Sequence, residues 1–219
     1  MDALREEMQS RWNTDGVHYD EIPAHGIQDK QEGLPWTALF SSVPQRETTV
    51  LDMGTGTGFV ALLAAAQGLA VTGLDWSETM LSQARKKAAD RGLKVQWVQG
   101  LTETMPFQDN TFSLLCARHV LWTLAEPVRA FREWRRVLQP GGKVYADYAP
   151  RAEGQDMGHH YSEETERKLP LNQGASPEEV MALFREAGFN DVSWVSQEQE
   201  SGHGAPVHPK RVFMFTCIK

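Results

Sequence analysis

Residues 50–62 read "VLDMGTGTGFVAL" and hold the pattern on which the fold assignment depends. An apolar, β-branched run ends here, and Gly54, Gly56 and Gly58 follow it in alternation with threonines. Such a run is typical of a buried strand, and glycines allow the backbone after it to turn sharply and to approach a ligand closely. One glycine is enough for a tight turn. Three at alternate positions therefore favour a ligand-binding loop between a strand and a helix.

Strand and helix patterns alternate outward from this loop. That alternation predicts an α/β fold with a parallel sheet and helices on both faces. No helix pattern separates the last two strands, so we expect an antiparallel pair at one edge. The "QPGGK" stretch at 139–143 is interpreted as a turn. The predicted strands are 48–53, 70–75, 94–99, 112–118, 143–148, 191–197 and 211–218, and the predicted helices are 2–12, 35–43, 59–68, 77–92, 126–138 and 176–189.

The composition is that of one globular domain. The 219 residues are 41% hydrophobic and 23% charged, with a formal net charge of -7, which disfavours nucleic acid or an anionic membrane as partner. No apolar run approaches the roughly 18 residues of a membrane span, and the charged N-terminus lacks a signal core. Cys116 and Cys217 lie in apolar runs without metal-type spacing, which predicts buried, reduced thiols and a cytoplasmic protein.

The spacing of the glycines distinguishes between cofactors. A dinucleotide fingerprint is G-x-G-x-x-G, whereas this order is Asp-x-Gly-x-Gly-x-Gly, and Phe59 and Val60 occupy the start of the helix. The side chains at this helix start leave no space for a diphosphate to approach the backbone. Asp52, which precedes the glycines, would repel phosphate and suits a ligand with positive charge. Asp75 ends the second predicted strand, where a carboxylate accepts ribose hydroxyls. Its alternative role is to cap the next helix, for which Ser77 is the better candidate.

The chain resembles the class I S-adenosylmethionine-dependent methyltransferases of the small, single-domain kind. The resemblance runs from about residue 47 to the end of the chain, and it rests on "VLDMGTGTG", "VTGLDWSETML", "VQGLTETMPFQDNTFSLLCARHVLWTL" and "EWRRVLQPGGKV" in the family's order. It implies a Rossmann-like, doubly wound seven-stranded sheet of order 3-2-1-4-5-7-6 with strand 7 antiparallel. It further implies an N-terminal helical cap over 1–46, and a core over 47–219 with an active-site insertion at 151–175.

The resemblance also implies a cofactor, S-adenosylmethionine, which becomes S-adenosylhomocysteine. Gly54, Thr55 and Gly56 would run past its methionine part, and Asp52 would support that part, often through a water to its amino group. Asp75 would hold the ribose.

The adenine side departs from the family pattern. Trp76 and Met80 would flank the ring, although Trp76 is as easily read as a core residue. The family usually has Gly-Asp-Ala after the third strand, and Leu101 stands here in place of the acid that bonds the adenine amino group. Thr102, Glu103 or the backbone must then take over, or shape alone holds the ring.

The remaining predicted site residues surround the methyl donor. Arg118, at the end of strand four, would offer its carbonyl to the methionine amino group, and Tyr19 in the cap would reach the carboxylate. Methyl transfer needs orientation and a dry site, and it needs a base only where the acceptor holds its proton tightly. His119 is the predicted base and His160 a weaker candidate; either is also compatible with a structural histidine. The histidine-rich stretches lack metal-type spacing, so no metal site is predicted.

A small-molecule methyl acceptor is the predicted substrate, and the atom methylated (O, N, S or C) stays open. Trp36, Trp122, Tyr148 and Tyr161 are candidates for an aromatic pocket. The alternatives are a tRNA or protein methyltransferase, a nucleotide-sugar or nicotinamide oxidoreductase, and a non-catalytic cofactor-binding module. A homodimer is compatible with the sequence.

Overall fold

Strand β1 (Thr49–Met53) is the third strand of a seven-stranded sheet of order β3-β2-β1-β4-β5-β7-β6 and pairs with β2 and β4. The computed structural model describes residues 3–16, 18–21, 30–150, 161–199 and 210–219. Strand β7 runs antiparallel to both of its neighbours, and the other pairs are parallel. The predicted fold class and strand order are confirmed.

The helices and strands follow the predicted alternation. The strands are β1, β2 (Ala70–Asp75), β3 (Gln96–Gln99), β4 (Phe112–Ala117), β5 (Leu138–Tyr148), β6 (Asn190–Gln199) and β7 (Lys210–Ile218). The helices are α1 (Ala3–Asp15), α2 (Lys30–Ser41), α3 (Phe59–Ala66), α4 (Glu78–Asp90), α5 (Pro127–Val137), α6 (Glu163–Arg167) and α7 (Pro177–Glu186). Short 3-10 helices cover Tyr19–Glu21, Leu121–Thr123 and Pro170–Gln173.

Side chains that alternate along β1 separate two cores, one on each face of the sheet. Val50 packs with helices α2 and α3, whereas Leu51 and Met53 pack on the opposite face. There, α5 and α7 meet through Phe131 and Phe184, whose rings stack with centroids 3.8 Å apart. This period of two fixes which β1 residues lie beneath each helix layer.

The predicted turn at "QPGGK" is wrong, because strand β5 begins at Leu138 and continues through these residues. Leu138 pairs with Phe112, and the next pair is Lys143 with Leu114. Strand β4 therefore advances two residues while β5 advances five, so the intervening residues bulge from the ladder. Pro140 has no N–H for a regular ladder, and the two glycines after it accommodate the bulge.

The N-terminal segment divides between two positions. In α2, Trp36 and Phe40 are buried in the core beside Val50, on the opposite face from α5. Helix α1 instead packs against α4. The domain boundary after residue 46 remains a prediction.

Residues 161–175 pack onto the core, since Leu169 and Leu171 are buried. Residues 151–160 of the predicted insertion lie outside the described residues. Both cysteines are buried and free, as predicted, and burial raises the pKa of each thiol. Among the described helices, none combines the length and hydropathy that crossing a bilayer requires.

Candidate functional site

A cavity opens at the carboxyl ends of β1, β2 and β4, between the sheet and helix α1. Its empty space is about 760 Å³, including the part that opens to solvent. Eleven of the fourteen residues predicted to bind cofactor or to catalyse line it. They are Tyr19, Gly54, Gly56, Asp75, Trp76, Met80, Leu101, Thr102, Glu103, Arg118 and His119.

Two glycines of the loop after β1 are required for different reasons. Gly54 has φ +61°, and a Cβ there would come within 2.6 Å of a methyl carbon of Val120. Gly56 has φ +52°, and a Cβ there would meet nothing within 4 Å. Gly54 thus lets the loop pack against the turn after β4, while Gly56 keeps the space above the loop open for a ligand.

Asp52 and Thr55 are also predicted to bind the cofactor. Their side chains are buried beneath the loop and do not line the cavity. Both are buried, and Asp52 Oδ2 accepts hydrogen bonds from Thr55 Oγ1 (2.6 Å) and from the Ala61 N–H (3.0 Å). Burial raises the pKa of Asp52 to about 7, although these two hydrogen bonds favour its ionised form. Asp52 therefore fixes the loop to the first turn of α3.

Asp75 lies at the end of β2 and lines the cavity. Its Oδ2 accepts from the Gly56 N–H and its Oδ1 from the Ser77 N–H, each at 2.8 Å. Burial raises the pKa of Asp75 to about 6. Ser77 Oγ accepts from the Met80 N–H and is the N-cap of α4, so capping does not explain an acid at position 75.

A carboxylate is available near the place where Leu101 replaces the expected acid. Leu101 and Thr104 form an isolated antiparallel bridge, which closes a tight turn after β3. Within that turn, Thr102 Oγ1 donates to Glu103 Oε2 at 3.2 Å, and Glu103 is buried. The turn thus brings a side-chain acceptor to the cavity two residues after Leu101.

The turn after β4 contacts an acidic side chain on β5 that the sequence reasoning missed. His119 has a positive φ of 59°, and its N–H donates to Asp147 Oδ1 at 2.5 Å. Its Nε2 lies 3.7 Å from Asp147 Oδ2. Asp147 is buried at the end of β5. An acid within the otherwise apolar stretch "VYADY" is the signal that points to it.

Arg118 and Tyr19 lie beside this pair. Arg118 is buried, and its guanidinium carbon is 3.9 Å from the centroid of the Phe59 ring. Burial raises the pKa of Tyr19 above its usual range; Arg118 opposes that shift, while Asp147, Asp75 and Asp20 add to it. The polar part of the cavity thus carries both signs of charge.

The segment around Tyr19 is tied to the glycine loop and to α4 through one carboxylate. Asp20 Oδ1 accepts from Thr57 Oγ1 at 2.5 Å, and Asp20 Oδ2 accepts from Lys87 Nζ at 2.6 Å. Thr57 belongs to the "GTGTG" stretch. The loop that lines the cavity and the segment that covers it are therefore mechanically joined.

Helix α1 and the segment around Tyr19 together form the N-terminal cover of the cavity, and aromatic side chains pack against it. Trp12 lies 5.8 Å from Tyr19 and 6.0 Å from Trp122, between ring centroids, and its Nε1 donates to the Tyr161 hydroxyl at 2.7 Å. Trp122 and Tyr161 thus lie behind Trp12, which faces the cavity.

Trp36 and Tyr148, also candidates for the aromatic pocket, lie elsewhere. Trp36 packs near Tyr145 on the other face of the sheet, and the Tyr148 hydroxyl donates to the Leu171 carbonyl. His160 lies outside the described residues. In the part of the chain that is described, no three potential metal ligands cluster.

A family model described as "Methyltransferase domain" matches residues 51–146. A demethylmenaquinone methyltransferase of Thermus thermophilus is 32% identical over 163 residues, which are 64% of this chain and 74% of that protein. One of Chlorobaculum tepidum is 37% identical over 102 residues, which are 46% of this chain but only 40% of that relative.

A solved structure of similar fold is phosphoethanolamine N-methyltransferase 2 of Haemonchus contortus, which is recorded with phosphomonomethylethanolamine and S-adenosylhomocysteine. Its TM-score is 0.74 at 18% identity, and the match covers all of this chain and 61% of that one. At this identity the likeness concerns the fold alone.

Proposed function

Because the chain belongs to the class I S-adenosylmethionine-dependent methyltransferases, we propose that it methylates a small, planar aromatic acceptor of the quinol type. The observation that carries the proposal is the apolar part of the cavity lining. Leu4, Met8 and Trp12 from α1 line the cavity together with Leu124 and Ala125. A flat, apolar ring buries favourably against such side chains.

The residues around the cavity fit the cofactor. The open space above Gly56 and the neighbouring carboxylate of Asp75 suit a ribose, whose two hydroxyls a carboxylate accepts. Trp76 and Met80 line the wall beside Asp75 and would flank the adenine, and Glu103 would accept from the adenine amino group.

The methionine part belongs at the polar end, where Arg118 and Tyr19 lie. There Arg118 would offer its carbonyl to the amino group, and Tyr19 would reach the carboxylate. When bound, the cofactor supplies a methyl group on a positively charged sulfur, which leaves as a neutral thioether.

The quinol assignment draws on the cavity and on the relatives together. The relatives that match with 32% and 37% identity are named demethylmenaquinone methyltransferases. A quinol hydroxyl holds its proton near neutral pH, so transfer to the ring or to its oxygen is faster with a base in reach. His119 lines the cavity next to Arg118 and would receive that proton.

The test is a methyl-transfer assay with labelled S-adenosylmethionine. The probes are 2-prenyl-1,4-naphthoquinol, kept reduced under nitrogen, ethanolamine phosphate, which has no ring, and bulk tRNA. We expect label in the quinol product only, and none with Asp75→Ala. Label in tRNA or in ethanolamine phosphate, with none in the quinol, would contradict the acceptor class. Cofactor binding without transfer to any probe would favour a non-catalytic module.

A further inference from the structure

We propose that Asp147 is a positioning residue, which holds the His119 imidazole so that it takes the proton of the methyl acceptor. The inference rests on the proposed methyl transfer and adds a residue to it. It starts from a contact between two residues that the sequence separates by 28 positions.

The sheet brings the two residues together. Ala146 on β5 pairs with Ala117 at the end of β4, so Asp147 lies one residue further along and faces the turn that carries His119. On its other side, Asp147 pairs with Met214 of β7. The carboxylate is therefore held by a central strand, which gives it a fixed position relative to the cavity.

Both oxygens of this carboxylate are directed at one residue. Oδ1 accepts the His119 N–H at 2.5 Å, and Oδ2 lies 3.7 Å from the ring nitrogen Nε2. The first contact holds His119 in a backbone conformation, with φ of 59°, that residues with a side chain rarely adopt. The second is an ion-pair distance, so the carboxylate faces the ring and favours its protonated form. Such local strain is retained where the surroundings fix it, and it is frequent at functional sites.

The chemistry requires a charge at this place. As the hydroxyl proton of the acceptor moves to an imidazole nitrogen, the acceptor keeps the electron pair and forms a bond to the methyl carbon, and the pair of the broken carbon–sulfur bond stays on sulfur. The imidazole becomes a cation in a partly closed cavity that already holds Arg118. The Asp147 carboxylate stabilises that cation. The His119 side chain is 20% exposed, so it can return the proton to solvent.

A purely structural role would be to satisfy the His119 N–H. Asp147→Asn separates the two roles, because its amide oxygen can still accept from that N–H while the charge is lost. The set comprises the wild type, Asp147→Asn, His119→Gln, the double variant, and Asp109→Asn as a matched control. Asp109 is an exposed acid paired with Arg136, outside the cavity.

With 2-prenyl-1,4-naphthoquinol as acceptor, we expect Asp147→Asn to lower kcat at least about tenfold, with KM and the Kd for S-adenosylhomocysteine changed less than about twofold. In the His119→Gln background the same substitution should have no further effect, since its partner is gone. Asp109→Asn should match the wild type. Equal losses in both backgrounds, or a parallel loss of cofactor affinity, would overturn the proposal.

A second measurement does not depend on turnover. In long-range ¹H–¹⁵N spectra of the apo protein, we expect His119 to show one tautomer in the wild type and a mixture in Asp147→Asn. An unchanged His119 spectrum would overturn the inference, whether or not the quinol is methylated. If Asp147→Asn does not fold, Asp147→Ser takes its place, since its hydroxyl can still accept from the His119 N–H. A wild type that transfers no methyl to the quinol, with the expected spectra, would contradict the proposed function alone.

Discussion

Asp75 joins the glycine loop, the start of α4 and the cavity through one carboxylate. Its pKa of about 6 lies well above the ordinary value of 3.8, because burial disfavours the charge more than the backbone hydrogen bonds favour it. A carboxylate accepts two ribose hydroxyls, whereas the protonated acid loses part of that capacity. Affinity for the cofactor should therefore depend on pH near neutrality.

We expect the Kd for S-adenosylhomocysteine to be about tenfold weaker at pH 5 than at pH 7.5, since Asp75 is protonated below its pKa of about 6. Calorimetric titrations at four pH values measure this. Asp75→Asn should bind weakly at every pH with a flatter dependence. A wild-type affinity that is constant over this range would contradict the assignment of Asp75 to the ribose.

The glycines give a matched pair of substitutions. Gly54→Ala should destabilise the fold, because its Cβ would lie 2.6 Å from Val120 in addition to the strain of a positive φ. Gly56→Ala carries the strain alone, about 1 kcal/mol, and directs its methyl group into open space at the cavity. We expect the first to lower the free energy of unfolding more in urea titrations, and the second to weaken S-adenosylhomocysteine binding more. The reverse order would show that the two roles are misassigned.

At the residue scale, the sequence predicts those site residues whose positions depend on neighbours close to them in the chain. The positions of Gly54, Gly56 and Asp75 follow from a strand end and the loop next to it. The contact of Asp147 with His119 depends on the pairing of β4 with β5, which no local pattern reports. Asp52 is adjacent to the loop in sequence, yet strand alternation directs it beneath the loop.

At the element scale, the cover over the cavity depends on a few polar contacts. Glu7 of α1 accepts from Ser162 and Thr165 near α6, and Asp20 accepts from Thr57 and Lys87. The Lys87 and Asp20 side chains are 18% and 31% exposed, so solvent screens this ion pair only in part.

Asp20→Ala should release the segment that carries Tyr19 and leave the core intact. We expect the Kd for S-adenosylhomocysteine to rise about three- to tenfold, with a smaller change in Tm, since the lost contacts join the cover to the loop. Calorimetry and thermal unfolding measure the two effects. Glu21→Gln is the matched control, because Glu21 lies in the same 3-10 helix as Asp20, is exposed and pairs with His18. Equal behaviour of the two variants would contradict the role of Asp20.

Hydrophobic periodicity predicts the order of the helices and strands, but it does not predict elements that contain prolines, glycines or a bulge. Strand β5 begins at Leu138 because that residue pairs with Phe112 before the bulge, and a proline with two glycines hides this in the sequence. Helix α2 contains Pro35, which local propensity disfavours within a helix. The helix packs on the core with the buried side chains of Trp36 and Phe40, a tertiary contact that local propensity does not predict.

At the scale of the whole molecule, residues of the sheet edge and of helix α1 both line the cavity, so we expect a ligand bound there to touch both. S-Adenosylhomocysteine should therefore stabilise the fold and protect α1 together with the core. At a concentration of 100 times its Kd, the linkage amounts to about 2.7 kcal/mol. We expect a rise in Tm and slower hydrogen exchange in α1 as well as in β1. Protection limited to β1 would contradict the position of α1 over the ligand.

The acceptor is the property that the sequence alone left open. Motifs near the glycine loop concern the cofactor. The proposed acceptor end consists of Leu4, Met8 and Trp12 of α1 and of residues after β4, which come together only in the fold. Trp36 and Tyr148 illustrate the difficulty, since both are aromatic and neither reaches the cavity.

The central claim is that this cavity binds S-adenosylmethionine through Asp75. Its most direct test is calorimetric titration of the wild type and of Asp75→Ala with S-adenosylhomocysteine, with NAD as the competing cofactor class. We predict one site for S-adenosylhomocysteine, no heat with NAD, and a loss of at least about tenfold in affinity in the variant. Binding of NAD instead, or equal affinity of both proteins for S-adenosylhomocysteine, would contradict the account.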